Sequence, residues 1–246
     1  MRYFIKLAYN GTHYHGWQSQ PNATSVQETL EKGLSLLLKL KIELVAAGRT
    51  DAGVHAKEMF AHFDMEEQID AAILLPKLNS FLPKDIVIYS IFAVHDEAHA
   101  RFDATERTYE YHIHTTKDAF IHELSWYHHY PLSIEKMNEA ASILKEYTDF
   151  ECFSKVNTDV FTFNCKIKNA YWQQNGNALV FTITADRFLR NMVRAIVGTM
   201  INIGQGKIEP KQLHHIIASK NRGQAGFSVP AHGLYLTEIK YPYPTE

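Results

Sequence analysis

Hydrophobic and polar positions alternate from Tyr3 to Tyr9, the period of a strand with one buried face. Ser25-Val26-Gln27-Glu28 then has the form of a capping box, and Leu30, Leu34, Leu37 and Leu38 follow at helical spacing. Ile42 to Ala47 and Met59 to Phe63 read as short strands. Ala71 to Phe81 reads as a helix stopped near Pro83, and Ile86 to Val94 as a further strand. The order β-α-β-β-α-β is that of a ferredoxin-like unit.

The second half repeats the theme loosely. Thr108 to Thr115 predicts a strand, and Ser133 to Glu146 a helix with Ser133 as N-cap. Lys166 to Gln173 and Ala178 to Ala185 predict strands joined by Gln174-Asn175-Gly176-Asn177, where Asn-Gly is a favoured hairpin turn. A long helix is expected over Arg187 to Ile203, ending at Gly204. Pro210 to Ser219 predicts another helix and Leu234 to Ile239 a closing strand. The pattern gives an α+β fold in two domains of related order, 1–103 and 104–246, with no exact internal repeat.

Composition adds little until it is divided. The 246 residues are 46% hydrophobic and 21% charged, an ordinary globular balance. Lys+Arg is 25 and Asp+Glu 27, a net charge of −2 that speaks against a protein that coats polyanions. By segment, however, residues 1–151 carry −8, residues 152–222 carry +7 and residues 223–246 carry −1. Such asymmetry points to a polyanionic partner about as strongly as to chance scatter over a surface.

Two cysteines, Cys152 and Cys165, cannot build a disulfide framework and are expected reduced and packed. The apolar runs are far shorter than the ~20 residues a membrane helix needs, and the first residues lack a signal-peptide core. A soluble, cytoplasmic protein is expected, with no membrane association. The fourteen histidines include no HExxH and no zinc-spaced Cys/His set, so no metal is expected. His55 and His62 are the two that could adjoin a site. P-loop, GxGxxG and GxSxG motifs are absent, which weighs against nucleotide hydrolysis, dinucleotide redox and α/β-hydrolase chemistry.

Three segments concentrate chemistry. Gly48-Arg49-Thr50-Asp51-Ala52-Gly53-Val54-His55-Ala56 follows a predicted strand and gathers Arg, Thr, Asp and His in a glycine-flanked loop. Asp51 suits a turn former that bonds its own backbone, or a carboxylate kept ionised by Arg49 and other cations. In the second segment, Ala98 to Phe102 and Arg107 to Tyr111, a strand places Arg107, Tyr109 and Tyr111 on one face. That suits core packing as well as base stacking and phosphate binding. In the third, Arg187, Arg190 and Arg194 would line one face of the long helix, either as a solvated edge or as bidentate ligands. Lys outnumbers Arg 17 to 8, yet these three positions are all Arg. Six of the eight arginines fall in the three segments.

Tyr9-Asn10-Gly11-Thr12-His13-Tyr14-His15-Gly16-Trp17-Gln18, Gly48 to Ala56, His99 to Tyr111 and Phe188 to Gly198 together resemble the tRNA pseudouridine synthase A family. The resemblance spans nearly the whole chain, and Gly-Arg-Thr-Asp-Ala-Gly-Val-His is highly specific. Leu82 to Ile86 and Pro230 to Leu234 also fit. The resemblance implies two ferredoxin-like-derived subdomains sharing an extended mixed sheet around a basic cleft, the pseudouridine synthase fold. It implies a homodimer without cofactor or metal that converts uridine to pseudouridine at positions 38, 39 and 40 of the tRNA anticodon stem-loop. Asp51 matches the family's catalytic Asp. Arg190 matches its cationic partner best, with Arg194 second, and Tyr109 matches the Tyr that stacks on the target base. Arg49 and His55 would support a flipped nucleotide. Lys155, Lys166, Lys168 and Arg222 would contact the RNA backbone, and Arg107 and Arg194 are expected among the substrate-binding residues. The family usually has Asp where Asn10 stands, often Gly-Gln where Glu58-Met59 stands, and Asn where Phe81 stands. These departures are expected to touch RNA contacts or dimer packing more than the catalytic loop.

Overall fold

The protein is described by a computed structural model covering residues 1–156 and 161–245. Asp159, one of three acidic residues in the basic segment, lies outside the described residues. The chain forms two compact units: Met1–Thr105 with Tyr235–Glu246, and Glu106–Leu234.

The first unit contains β1 (Arg2–Tyr9), α1 (Val26–Leu38), β2 (Val45–Ala46), β3 (His55–Asp64), α2 (Ala71–Phe81) and β4 (Ile86–Val94). Its sheet runs β4-β1-β3, antiparallel throughout, with β2 beside β3, the strand arrangement of the expected ferredoxin-like unit. Ser25 caps α1 by accepting from Glu28 N at 3.2 Å, while the Glu28 carboxylate pairs with Lys32 (2.6 Å), one turn along. The Ile42 to Ala47 strand shrinks to two paired residues, although burial alternates from Lys41 to Val45 as in a strand. Leu30, Leu34, Leu74 and Leu78 bury the helices, and Gly33 lets α1 approach Leu78 and Phe81, whose carbons would lie 3.1 Å from an added Cβ.

The chain's end belongs to this unit, not to a 104–246 domain. Leu234–Lys240 forms β9, whose Tyr235 and Leu236 pair in parallel with His55 and Ala56 of β3. Tyr241 OH donates to Ala100 O (2.6 Å) and Tyr243 OH to Asp103 Oδ2 (2.9 Å), while both rings meet Phe4. Two phenols anchored on one turn and one phenylalanine explain the return.

The second unit contains β5 (Glu106–His114), β6 (Trp126–Tyr127), α3 (Ile134–Ile143), β7 (Ile167–Asn175), β8 (Ala178–Ala185), α4 (Met192–Gly204) and α5 (Gln212–Ala218). Its sheet runs β5-β8-β7, with β6 parallel to β5, so β5, β8 and β7 repeat the relation of β1, β3 and β2. The β7–β8 turn is displaced by one residue from expectation. Asn175 still pairs with Ala178, leaving Gly176-Asn177 as the loop, with φ +58° at Gly176 alone. A positive φ at the first loop position only is the glycine-first hairpin turn. Cys152 and Cys165 are both buried and unbridged, and burial pushes each thiol up to about 12.

The long helix starts five residues later than its periodicity predicts. Asn191 has φ +66°, a left-handed conformation that ends any helix approaching from Arg187. Asp186 Oδ1 accepts from Lys166 N and Arg187 N, both at 2.7 Å, and Arg190 O accepts from Lys155 N. These bonds hold residues 186–190 as an irregular turn. From Met192 onward α4 is buried on nearly every side. Gly198 is where it meets the chain at Phe227, whose carbonyl oxygen lies 1.8 Å from where a Cβ would stand.

Candidate active site

The loop carrying Asp51 is seated on the segment Tyr9 to Trp17. Thr50 Oγ1 bonds Tyr9 OH (2.8 Å), Thr50 O accepts from Trp17 N (3.4 Å), and Gly53 N donates to Tyr14 O (3.1 Å). Two glycines permit the contact. A Cβ on Gly11 would stand 2.0 Å from Val54 O, and one on Gly16, at φ +88°, 2.3 Å from Thr50 O. The loop closes on itself through Val54 N to Asp51 O (3.1 Å), with Gly53 at φ +76°. Asp51 sits in this turn. Its backbone forms a turn, and its side chain stands half-exposed on a loop fixed from outside. Tyr14 OH also donates to Asp85 Oδ1 (2.7 Å), which ties the seat to the start of β4. Sequence reading names Tyr9 to Gln18 only through resemblance. Its glycines and aromatic hydroxyls are the signal that it braces a neighbour.

The two histidines singled out as site-adjacent are interior braces. His55 is 1% exposed; its Nδ1 accepts from Gly11 N (3.0 Å) and its ring stacks on Tyr235 at 4.6 Å. A side chain so enclosed holds the loop's base and does not reach a nucleotide. His62 Nδ1 accepts from Ala100 N (3.1 Å). Burial, with Arg2 and His99 nearby, pushes its imidazole down to about 4, so it is neutral at ordinary pH. His99 Nδ1 accepts from Arg101 N and Phe102 N, so the Ala98 to Asp103 turn is self-bonded and leaves Arg101 and Phe102 exposed. Arg49 is exposed.

In the second unit, the face shared by Arg107, Tyr109 and Tyr111 divides by role. Tyr111 is fully buried and donates its OH to Pro230 O (2.8 Å). Tyr109 is half-buried and meets Phe188 edge-to-face at 5.1 Å. Arg107 Nη1 donates to Asp186 O (2.8 Å). Arg190 is exposed in the turn before α4. Arg187 lies in the same irregular turn, so the three arginines do not line one helix face. Arg194 lies in the first turn of α4 and donates Nε to Val229 O (2.7 Å). Lys155 and Lys166 are exposed, and the Lys168 ammonium pairs with Glu106. Arg222 is spent inside the unit on Gly226 O and Ser228 Oγ, which argues against its expected RNA contact.

The departures from the family pattern also find places. Asn10 Oδ1 accepts from Thr12 N and Thr12 Oγ1, acceptor work that an aspartate would do equally well. Met59 is fully buried, and Glu58 serves Lys6 and Ile239 N. Phe81 is 48% exposed. Among the described residues no His/Cys/Asp/Glu group could hold a metal, and no helix is long and apolar enough to cross a membrane.

The first unit carries a braced carboxylate loop, and the second a Tyr strand with an arginine turn before α4. The model of the tRNA pseudouridine synthase family matches residues 6–103 and 143–242, and the chain belongs to that family. It is 53% identical to tRNA pseudouridine synthase A of Parabacteroides distasonis, over 100% of this chain and 99% of the relative. It is also 53% identical to that of Bacteroides fragilis, over 98% and 96%. A more distant relative of the same name, from Thermoanaerobacter pseudethanolicus, is 39% identical over 96% and 98%. The two units are thus those of the pseudouridine synthase fold, and the activity is that of a tRNA pseudouridine synthase, an isomerase.

Proposed function

We propose that the enzyme isomerises uridine at positions 38, 39 and 40 of the tRNA anticodon stem-loop, with Asp51 as the reacting carboxylate. The observation that carries this reading is the seating of residues 48–54 on Tyr9 to Trp17, which fixes a half-exposed Asp51 in a specific family motif. The reaction breaks the bond from ribose C1′ to uracil N1, turns the base, and joins C1′ to C5. The proton leaving C5 is balanced by one gained at N1, so no oxidant or cofactor is consumed. One ionised carboxylate suffices, whether it attacks the sugar, attacks the base or removes a sugar proton.

Arg190 serves as the cationic partner of that carboxylate and Tyr109 stacks on the flipped uracil. Arg49, Arg107, Arg194, Lys155 and Lys168 hold the RNA backbone. His55 serves substrate only by fixing the loop. The enzyme works as a homodimer in the cytoplasm.

Site mapping tests this reading. Unmodified tRNA transcripts with uridine at 38, 39 or 40, incubated with the purified protein, should carry pseudouridine at those positions by mass spectrometry. Tritium should also be released from 5-tritiated uridine. Product confined to other positions would overturn the anticodon assignment, and product at none would overturn the enzyme reading.

A further inference from the structure

The sheet of the first unit carries a feature that uridine isomerisation at Asp51 does not use. Its central strand β1 is out of step with both neighbours at the same level. Against β4, Lys6 faces Ser90 and Leu7 faces Ile88, so Tyr89 is an extra, unpaired residue. Against β3, Leu7 faces Met59 and Tyr9 faces Ala56, so Lys57 and Glu58 stand opposite Ala8 alone. Each slip is a β-bulge, a device that re-aims side chains and commonly adjoins sites. The residues they push out, with their neighbours, line one open cavity of about 520 Å³: Lys6, Lys57, Glu58, Tyr89, Ser90 and Thr237.

The lining is rich in donors. It holds two ammonium groups and the hydroxyls of Tyr89, Ser90 and Thr237. Its one carboxylate, Glu58, accepts from Ile239 N at Oε1 (2.7 Å) and sets Oε2 3.3 Å from Lys6 Nζ. Lys57 is steadied over the Tyr235 ring at 5.3 Å. Ser90 Oγ is shielded from solvent and has no hydrogen-bond partner among the described residues. A hydroxyl so enclosed belongs to the cavity wall and does not face a ligand. Tyr89, 53% exposed, adds a ring on which a sugar or base can rest. No residue of the Asp51 loop lines the cavity.

We propose that this cavity binds a phosphodiester of the tRNA backbone away from the reacting nucleotide, a subsite that helps hold the substrate without taking part in the chemistry. It rests on the tRNA reading above. Lys57 and Lys6 neutralise the phosphate, Tyr89 donates to its oxygens, and the paired bulges set the spacing.

The test uses the full chain and a full-length unmodified tRNA transcript. Lys57→Gln with Tyr89→Ala should raise KM about 3- to 10-fold near 0.1 M salt with kcat unchanged. It should also reduce the slope of log affinity against log salt by about 1. Lys57→Arg should restore both. Wild-type KM, affinity and salt slope in the double variant would overturn the subsite. If wild-type protein formed no pseudouridine, the isomerase reading would fall, while the binding measurements would still decide the subsite.

Discussion

His62 and His55 look alike in sequence, each in a run that also carries apolar residues, and both act through a ring nitrogen that accepts from a backbone N–H. That role requires the neutral imidazole. For His62 it has a measurable consequence. The unfolded chain binds a proton near pH 6.5, but the folded imidazole does so only near 4. Between these values the unfolded state holds more protons, so stability falls as pH drops from about 6.5 to 4 and is fully present above that window. The melting temperature of the wild type should therefore fall more steeply across this range than that of His62→Gln, which keeps an acceptor but does not titrate. Parallel curves would show that His62 is not buried neutral. Neither brace is legible in sequence, because what defines it is a backbone donor from a distant segment, Gly11 or Ala100.

At the scale of elements, the first unit was largely legible. The period-2 runs of β1 and β4, the Ser25 cap and the stop before Pro83 are local signals, and they settle local structure. Expectation failed where a single backbone angle or a side-chain cap overrides periodicity. The apolar rhythm of Leu189, Met192, Val193 and Ile196 continues through Asn191, so nothing in the pattern marks its left-handed turn. The Asp186 bonds that shape the preceding residues reach back to Lys166. The β7–β8 hairpin shows the same limit at one-residue resolution. Because Gly176 and not Asn175 takes the positive φ, Gly176→Ala should cost about 1 kcal/mol through the backbone alone, its Cβ meeting open space. Asn177→Ala should be nearly neutral. Urea melts of the two variants decide this; equal losses would place the turn where the sequence alone suggested.

At the scale of the molecule, the net charge of −2 hides a segment of +7, and that segment, residues 152–222, falls inside the second unit. Phosphate binding depends on local lysines and arginines rather than the total. Affinity for tRNA should therefore fall steeply between 50 and 200 mM salt, by at least about tenfold, despite the near-neutral sum. A flat dependence would make the partition incidental. The return of the tail to the first unit is the large-scale feature that pattern could not supply, since it is set by Tyr241 and Tyr243 meeting residues far away in the chain. The candidate site was legible chiefly through its motif. Spacing alone left Asp51 divided between turn and catalysis; the structure adds the turn and its seat on Tyr9 to Trp17, neither of which periodicity marks. The proposed chemistry rests on this carboxylate. Asp51→Ala, assayed for pseudouridine on unmodified tRNA alongside direct tRNA binding, should lower the rate at least about 10³-fold while leaving Kd within about threefold of wild type. Activity near that of the wild type, with tRNA still bound, would contradict it.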